Sequence, residues 1–387
     1  MKKSKVILII LSLVCILIGT AMVTGAYFFL AKDASAQITG AQFQEKTHAV
    51  TEPFTKLNIH TINSSIEILP STDGVCRIVC DDNEKLYHDF SVTESPQGTQ
   101  LNINQRDDWQ WYEMLYGLYR VDELKVQVYL PEAEYALLHA NSANGDITIA
   151  PDLRFQTVST YTAGGNTKIT GLQAGHLTAH TVSGDLILRN LEAAEDAFLE
   201  SISGFMQIEN LKATNVTTHS SSGGAALEKV SSDYLRATSV SGEIRVMDSV
   251  FRNTSYFETG SGSVEIVDSD CGEQNLQTVS GSITLQNVSG SSLNARTGSG
   301  AITLLEALYR DSVLCHTTSG EIRFVGLDAE MLEFSTTSGD VSGNLLSGKN
   351  FITETTSGYV AVPPSDESAG TCHIRTGSGN ISIAIEP

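Results

Sequence analysis

TTSGEIRF (residues 317–324) is followed nineteen residues on by TTSGDVSG (336–343), and nineteen after that by TTSGYVAV (355–362). With the Gly of each Ser-Gly taken as origin, the same phrase extends far upstream. It falls at Gly145, Gly165, Gly184, Gly204, Gly223, Gly242, Gly262, Gly281, Gly300, Gly320, Gly339, Gly358 and Gly379, at spacings of 19 to 21 residues. Internal repetition of this kind decides the architecture before any single segment is read.

The columns around the Gly carry the reading. Three residues before it stands Ser or Thr, as at Ser142, Thr162, Thr317 and Thr376. Five and seven before are mostly apolar (Leu138 and Ala140, Leu293 and Ala295), and so are two and four after (Ile147 and Ile149, Ile302 and Leu304). Period-two alternation marks a strand with one buried face. The parity changes across the Gly, so the chain turns there, and a glycine suits a corner whose dihedrals a Cβ forbids. A second parity change before an apolar residue about seven after the Gly (Leu172, Leu191, Leu327) implies a second corner. Each repeat is therefore one coil of two short strands, two corners and a variable return. The prediction is an all-β chain, a parallel β-solenoid of about 13 coils with a period of 19–20 residues. At about 4.8 Å per coil the stack is about 60 Å long.

Upstream, LNIHTINSSIEIL (57–69) is a degenerate coil with Ser64 in place of Gly. GVCRIVC, DFSVTE, TQLNINQ and ELKVQVYLP, between 74 and 131, read as antiparallel strands. They make an N-terminal β cap over 47–135, since an open coil exposes an apolar cross-section, with the repeats over 136–387. RDDWQWYEMLYGLYR (106–120) fits no strand. Its aromatics either pack on the cap or form a partner patch of Trp109, Trp111, Tyr112, Tyr116 and Tyr119.

Composition bounds the rest. The 387 residues carry 32 Gly, 41% hydrophobic residues and a net charge of −21. All 45 Asp and Glu lie beyond residue 31, which disfavours nucleic acid as a partner. Val6–Leu30 is uncharged and, as a helix, about 37 Å long, enough to cross a hydrocarbon core of about 30 Å. Lys2, Lys3 and Lys5 precede it. The expected layout is a cytoplasmic stub (1–5), one transmembrane anchor (6–31), a linker (32–46) and an extracytoplasmic remainder, in a single-pass cell-membrane protein. A cleaved signal ending near Ala34-Ser35-Ala36 is the competing reading. Cys15 falls within the apolar run. Cys76 and Cys80 sit about 13 Å apart on one strand, and Cys271, Cys315 and Cys372 lie in different repeats, so the cysteines read as small core residues without a disulfide framework.

SSIEI (64–68), VQVYLPEAEY (126–135) and the repeated T-x-S-G-[DE]-[IV] coils together resemble the bacterial putative-adhesin family of uncharacterised β-solenoid repeat domains, over roughly 45–387. The resemblance implies the solenoid fold and carries no catalytic residues; the segment 106–120 departs from its pattern.

Chemistry is sparse. Glu321 and Asp340 occupy equivalent outward positions on neighbouring coils, about 5 Å apart, within reach of glycoside cleavage, but Ala301 and Tyr359 flank them in the column. His180, Glu200 and His219, each four before a corner Gly, form a column that could hold a zinc-like ion with a fourth ligand. No cofactor motif appears. The sequence therefore points to a non-catalytic surface protein for binding, adhesion or envelope-stress interaction, with a protein or glycan of the cell envelope as ligand. A polysaccharide-active β-helix enzyme is the alternative.

Overall fold

In a computed structural model the described residues are 43–96, 98–108 and 124–386. They contain no α-helix, and no helix long and apolar enough to cross a membrane. This overturns the expected single-pass membrane localisation; residues 6–31, on which that expectation rests, lie outside the described residues, as do Cys15 and Ala34–Ala36.

The described chain is a parallel β-solenoid of about twelve turns bounded by the thirteen corner glycines. The first strands are β1 (Gln44–Val50), β2 (Lys56–Thr61), β3 (Ser65–Pro70), β4 (Cys76–Asp82), β5 (Leu86–Ser95), β6 (Gly98–Asp107), β7 (Lys125–Leu130), β8 (Glu134–Ser142) and β9 (Ile147–Ile149). Strands that precede the Ser-Gly corner stack in one parallel ladder, face A. Those that follow it stack in a second, face B. Leu138, Val158 and Leu177 repeat along face A, and Ile149, Ile169 and Leu188 along face B, all buried.

The variable return of the sequence reading is itself a strand. It forms a third, short parallel ladder, face C, where Leu191 stands on Leu211 and Ala193 on Ala213. Further along, Cys271 stands on Gly290, and Val288 on Ala307. The coil is three-sided around one core. Within that core, Phe324 stacks on Phe334 at 4.8 Å and Phe251 meets Phe257 edge-on at 6.4 Å.

Both ends depart from chain order. β6 and β7 are not antiparallel cap strands. They run parallel to β2 and β3 and form a coil of the solenoid itself, Leu101 lying beside Leu57 and Val126 beside Ile66. β2 and β3 are sandwiched between that coil and β8/β9. Only β1, β4 and β5 are antiparallel there: β4 pairs with β7 and β1, and β5 with β6. β6 ends at Asp107 and β7 begins at Lys125, with the aromatic segment between them in sequence. Trp109, Trp111, Tyr112, Tyr116 and Tyr119 fall in it and lie outside the described residues. At the other end, Thr371–Thr376 inserts between Met331–Thr336 and Asn350–Thr355, so the last coil in sequence is the penultimate one in space.

The two corners work differently. None of the thirteen glycines has a φ in the left-handed region, so dihedral freedom is not why they are glycine. They are required because the coils touch. A Cβ on Gly300 would collide with the carbonyl oxygen of Gly281, one on Gly281 with that of Gly262, and so on along the spine. The left-handed column is the second corner: Asn190 (φ 57°), Asn210 (φ 56°), Lys229 (φ 54°), Asp248 (φ 50°), Asn287 (φ 51°) and Glu306 (φ 53°), with Gly171 and Gly326 in line. Asn and Asp tolerate this region best, while Lys229 and Glu306 hold it at a cost of about 1–2 kcal/mol.

One coil thus supports opposite expectations. Gly300→Ala should destabilise by about 1–3 kcal/mol through the clash with Gly281. Glu306→Gly should stabilise by about 0.5–1 kcal/mol, relief of strain being partly offset by backbone entropy. Exposed Arg296→Ala should change little. Thermal or urea unfolding of the three variants checks the signs.

Candidate functional site

Outward residues of face A repeat at two-residue intervals along each strand and at one coil along the stack, which gives a flat grid. Register places His180 beside Glu200 and Glu200 beside His219, on successive rungs. They do not converge as a ligand set. His180 Nε2 lies 3.7 Å from Glu200 Oε2, and its ring packs 4.9 Å from that of Tyr161. His219 Nδ1 is instead 2.9 Å from Thr238 Oγ1. Because that hydroxyl donates to the Thr218 carbonyl at 3.3 Å, the ring nitrogen is the donor in the His–Thr contact. His219 is thereby tied to the next coil, away from Glu200.

The sequence reading missed the neighbouring constellation. Arg236 and Tyr256 are paired in register, as are Thr238 and Glu258. The Arg236 guanidinium sits 4.4 Å over the Tyr256 ring, an attractive placement of a cation on an aromatic face. Glu258 Oε2 accepts from the Tyr256 hydroxyl at 3.0 Å and lies 3.6 Å from Arg236. Desolvation, then the bond to Glu258, raises the Tyr256 phenol above its ordinary value, so it serves as a donor and not as a base. With exposed Phe198 and Tyr234, these side chains give the middle of face A an aromatic and charged surface. The signal lay in two outward columns, four and six before the Gly.

The acids after the corner have a structural role. Asp146 Oδ1 accepts the Asn166 amide at 2.7 Å, and Asp185 Oδ1 the Phe205 amide at 2.8 Å. Asp340 Oδ1 likewise accepts the Asn380 amide at 2.7 Å. Glu321 stands on the rung beside it, but one of the two carboxylates is committed to holding the next coil, so the two do not form a free acid–base pair.

The five described cysteines are all buried and free. Burial pushes the Cys76 thiol up to about 11 and the Cys372 thiol up to about 12, and raises Cys271 and Cys315 further. Such thiols are poor nucleophiles.

Fold and grid define a repeat protein with a laterally exposed face and no assembled catalytic centre among the described residues. The chain belongs to the Toastrack DUF4097 family, whose profile matches residues 54–267 and 247–384; the resemblance carried by the T-x-S-G coils is thereby established. No curated protein is significantly similar to it. Among solved structures, it is similar to a putative cell adhesion protein from Clostridium sporogenes, at 11% identity over 89% of this chain and 100% of that one, with a TM-score of 0.20. A putative adhesin from Bacteroides fragilis is 10% identical over 88% and 97%, with a TM-score of 0.20. A putative adhesin from Parabacteroides distasonis is 11% identical over 79% and 98%, with a TM-score of 0.23. Superpositions at these scores carry no structural argument.

The raised thiols set an alkaline limit. The fold holds them protonated, whereas the unfolded chain ionises near its ordinary value of about 8.5. Their contribution is fully present below that pH and is lost as pH rises from about 9 to 12. Urea unfolding at pH 7 and pH 10.5 should show a drop in stability, reduced in a variant with Cys76, Cys271, Cys315 and Cys372 changed to Ala when each protein is compared with itself.

Proposed function

We propose that this chain is a non-catalytic binding module of the adhesion type, which takes an extended glycan or protein along face A. The observation that carries the reading is the in-register grid of Tyr161, His180, Phe198, Arg236, Tyr256 and Glu258 on one flat ladder. Aromatic faces stack on sugar rings or apolar side chains, while guanidinium, imidazole and carboxylate groups bond hydroxyls and amides. A repeating surface at about 4.8 Å suits a repeating ligand. The acidic balance opposes nucleic acid. The strands β1, β4 and β5 act as the closure of one end of the stack, and the aromatic residues of segment 106–120 serve as a second partner patch.

The test is binding of the purified full chain to insoluble peptidoglycan and to an array of soluble oligosaccharides, with turnover followed in parallel. Arg236→Ala with Tyr256→Ala should weaken binding at least about tenfold, the loss of one well-placed contact of about 1.4 kcal/mol or more, with an unchanged melting temperature. Undiminished binding in that variant would move the site off face A. Cleavage of a glycan abolished by Glu321→Gln would replace the binding reading with an enzymatic one.

A further inference from the structure

The strands that close the first-coil end bring together three side chains that no repeat column contains. Cys80 and Asp82 are alternate residues on β4, so both point to the same side, and His88 comes from β5. β4 continues face B and β5 continues face A, so the three meet across the corner between the faces. All are buried, at 1%, 3% and 5% exposure. A thiol sulfur, a carboxylate oxygen and a ring nitrogen from them all lie within 4.8 Å of one another. His88 Nδ1 is 2.6 Å from Asp82 Oδ1, Lys46 Nζ is 3.4 Å from Asp82 Oδ2, and Cys80 Sγ is 3.8 Å from the Lys46 carbonyl.

Packing alone does not account for this cluster. The repeat coils close the same corner with a Ser or Thr and an apolar core, and the coil of β6 and β7 closes it with Gln105. Here an imidazole and a carboxylate are buried at the end of the stack. Among the described residues His88 Nε2 has no hydrogen-bond partner, and neither has the side-chain nitrogen of Gln105, which pairs opposite His88. Each unpaired buried group costs about 1–3 kcal/mol. An apolar residue would fill the space without that cost.

We propose that Cys80, Asp82 and His88 are the ligands of one Zn2+ ion, with a water molecule or the Lys46 carbonyl oxygen in the fourth position. Thiolate, imidazole and carboxylate together suit zinc, whereas calcium and magnesium take oxygen ligands. Charge balances: Zn2+ with one thiolate and one carboxylate is neutral, so burying the complex is not opposed by a net charge. On binding, the Cys80 proton leaves to solvent and neutral His88 donates a ring lone pair. The carboxylate oxygen and ring nitrogen must move from 2.6 Å apart to about 3.3 Å, the spacing of two tetrahedral ligands about 2 Å from the ion. Lys46, whose side chain is 47% exposed, can swing away from Asp82 as the ion takes its place. The ion would then join β4 to β5 and lock face B to face A where the Ser-Gly corner has ended.

Cobalt is the probe. The purified full chain, freed of metal by chelation and kept reduced, is titrated with Co2+. The expected result is one equivalent bound, with a thiolate-to-cobalt charge-transfer band and the visible bands of tetrahedral cobalt, both removed by added Zn2+. Zinc should also raise the melting temperature. Cys80→Ser should abolish the charge-transfer band, and His88→Gln should weaken cobalt binding about tenfold or more. Cys372→Ser should leave both unchanged. If Cys80→Ser does not fold by circular dichroism, Cys80→Ala replaces it with the same expectation, and Asp82→Asn should weaken cobalt binding about tenfold or more. A full chain with neither charge-transfer band nor zinc-dependent melting shift, or a band that survives loss of Cys80, overturns the proposal and leaves a buried His–Asp hydrogen bond alone.

Discussion

A single two-way hydrogen bond sets the repeat. In coil after coil, the Thr three residues before the corner accepts the N–H of its own corner Gly and donates to the carbonyl of the corner Gly on the coil before. Thr297 Oγ1 takes the Gly300 amide at 3.1 Å and gives its proton to the Gly281 carbonyl at 2.9 Å. The same pair of bonds recurs at Thr162, Thr181, Thr259, Thr278, Thr317 and Thr336. The hydroxyl is buried, so both bonds are shielded from water, and the corner is held at contact distance from the one before it. That distance is what excludes a Cβ. Ser142 and Ser239 make the same pair of bonds, whereas Ser201 and Ser220 donate best to their own corner carbonyl instead. β-branching restricts χ1 and holds the Thr hydroxyl in place.

The clamp also explains how the chain can leave sequential order without breaking the stack. Each corner needs only a glycine carbonyl at the right height, not one from the preceding coil in sequence. Thr376 reaches Gly339 and Thr355 reaches Gly379, so the terminal coils exchange places with their hydrogen bonds intact. At the opposite end, where β6 has no Ser-Gly corner, Gln105 Oε1 occupies the Thr column. It accepts the amides of Ile62 and Asn63 at 2.6 and 3.1 Å. A longer side chain there supplies the acceptor half of the Thr clamp, across to the neighbouring coil.

Much of this was legible in the sequence because the repeat prints each column many times over. The buried alternation, the corner positions and the inward Ser/Thr column follow from residues such as Leu293, Ala295, Thr297, Ile302 and Leu304. The reason for glycine was not legible: a corner that needs an unusual φ and a corner that must touch its neighbour both select Gly, and only the coordinates separate them. The true left-handed column could have been found from Gly171, Asn190, Asn210, Asp248 and Asn287, six residues past the corner. Lys229 and Glu306 hide it. The coil of β6 and β7 was hidden because Leu101-x-Ile103-x-Gln105 has the right spacing without Ser-Gly. The Arg236–Tyr256–Glu258 constellation could have been found in the outward columns four and six before the Gly, whereas the Cys80–Asp82–His88 cluster was not legible, since it joins two strands outside the repeat through pairings that no spacing encodes.

The clamp is tested most directly by Thr297→Val, which keeps the branched shape and removes the hydroxyl, with hydrogen exchange of the Gly300 amide followed alongside unfolding. Two buried hydrogen bonds are lost, so stability should fall by about 1–3 kcal/mol. The Gly300 amide should lose protection selectively, ahead of the strand amides at Ile302 and Leu304. Unchanged stability with a fully protected Gly300 amide would contradict the account.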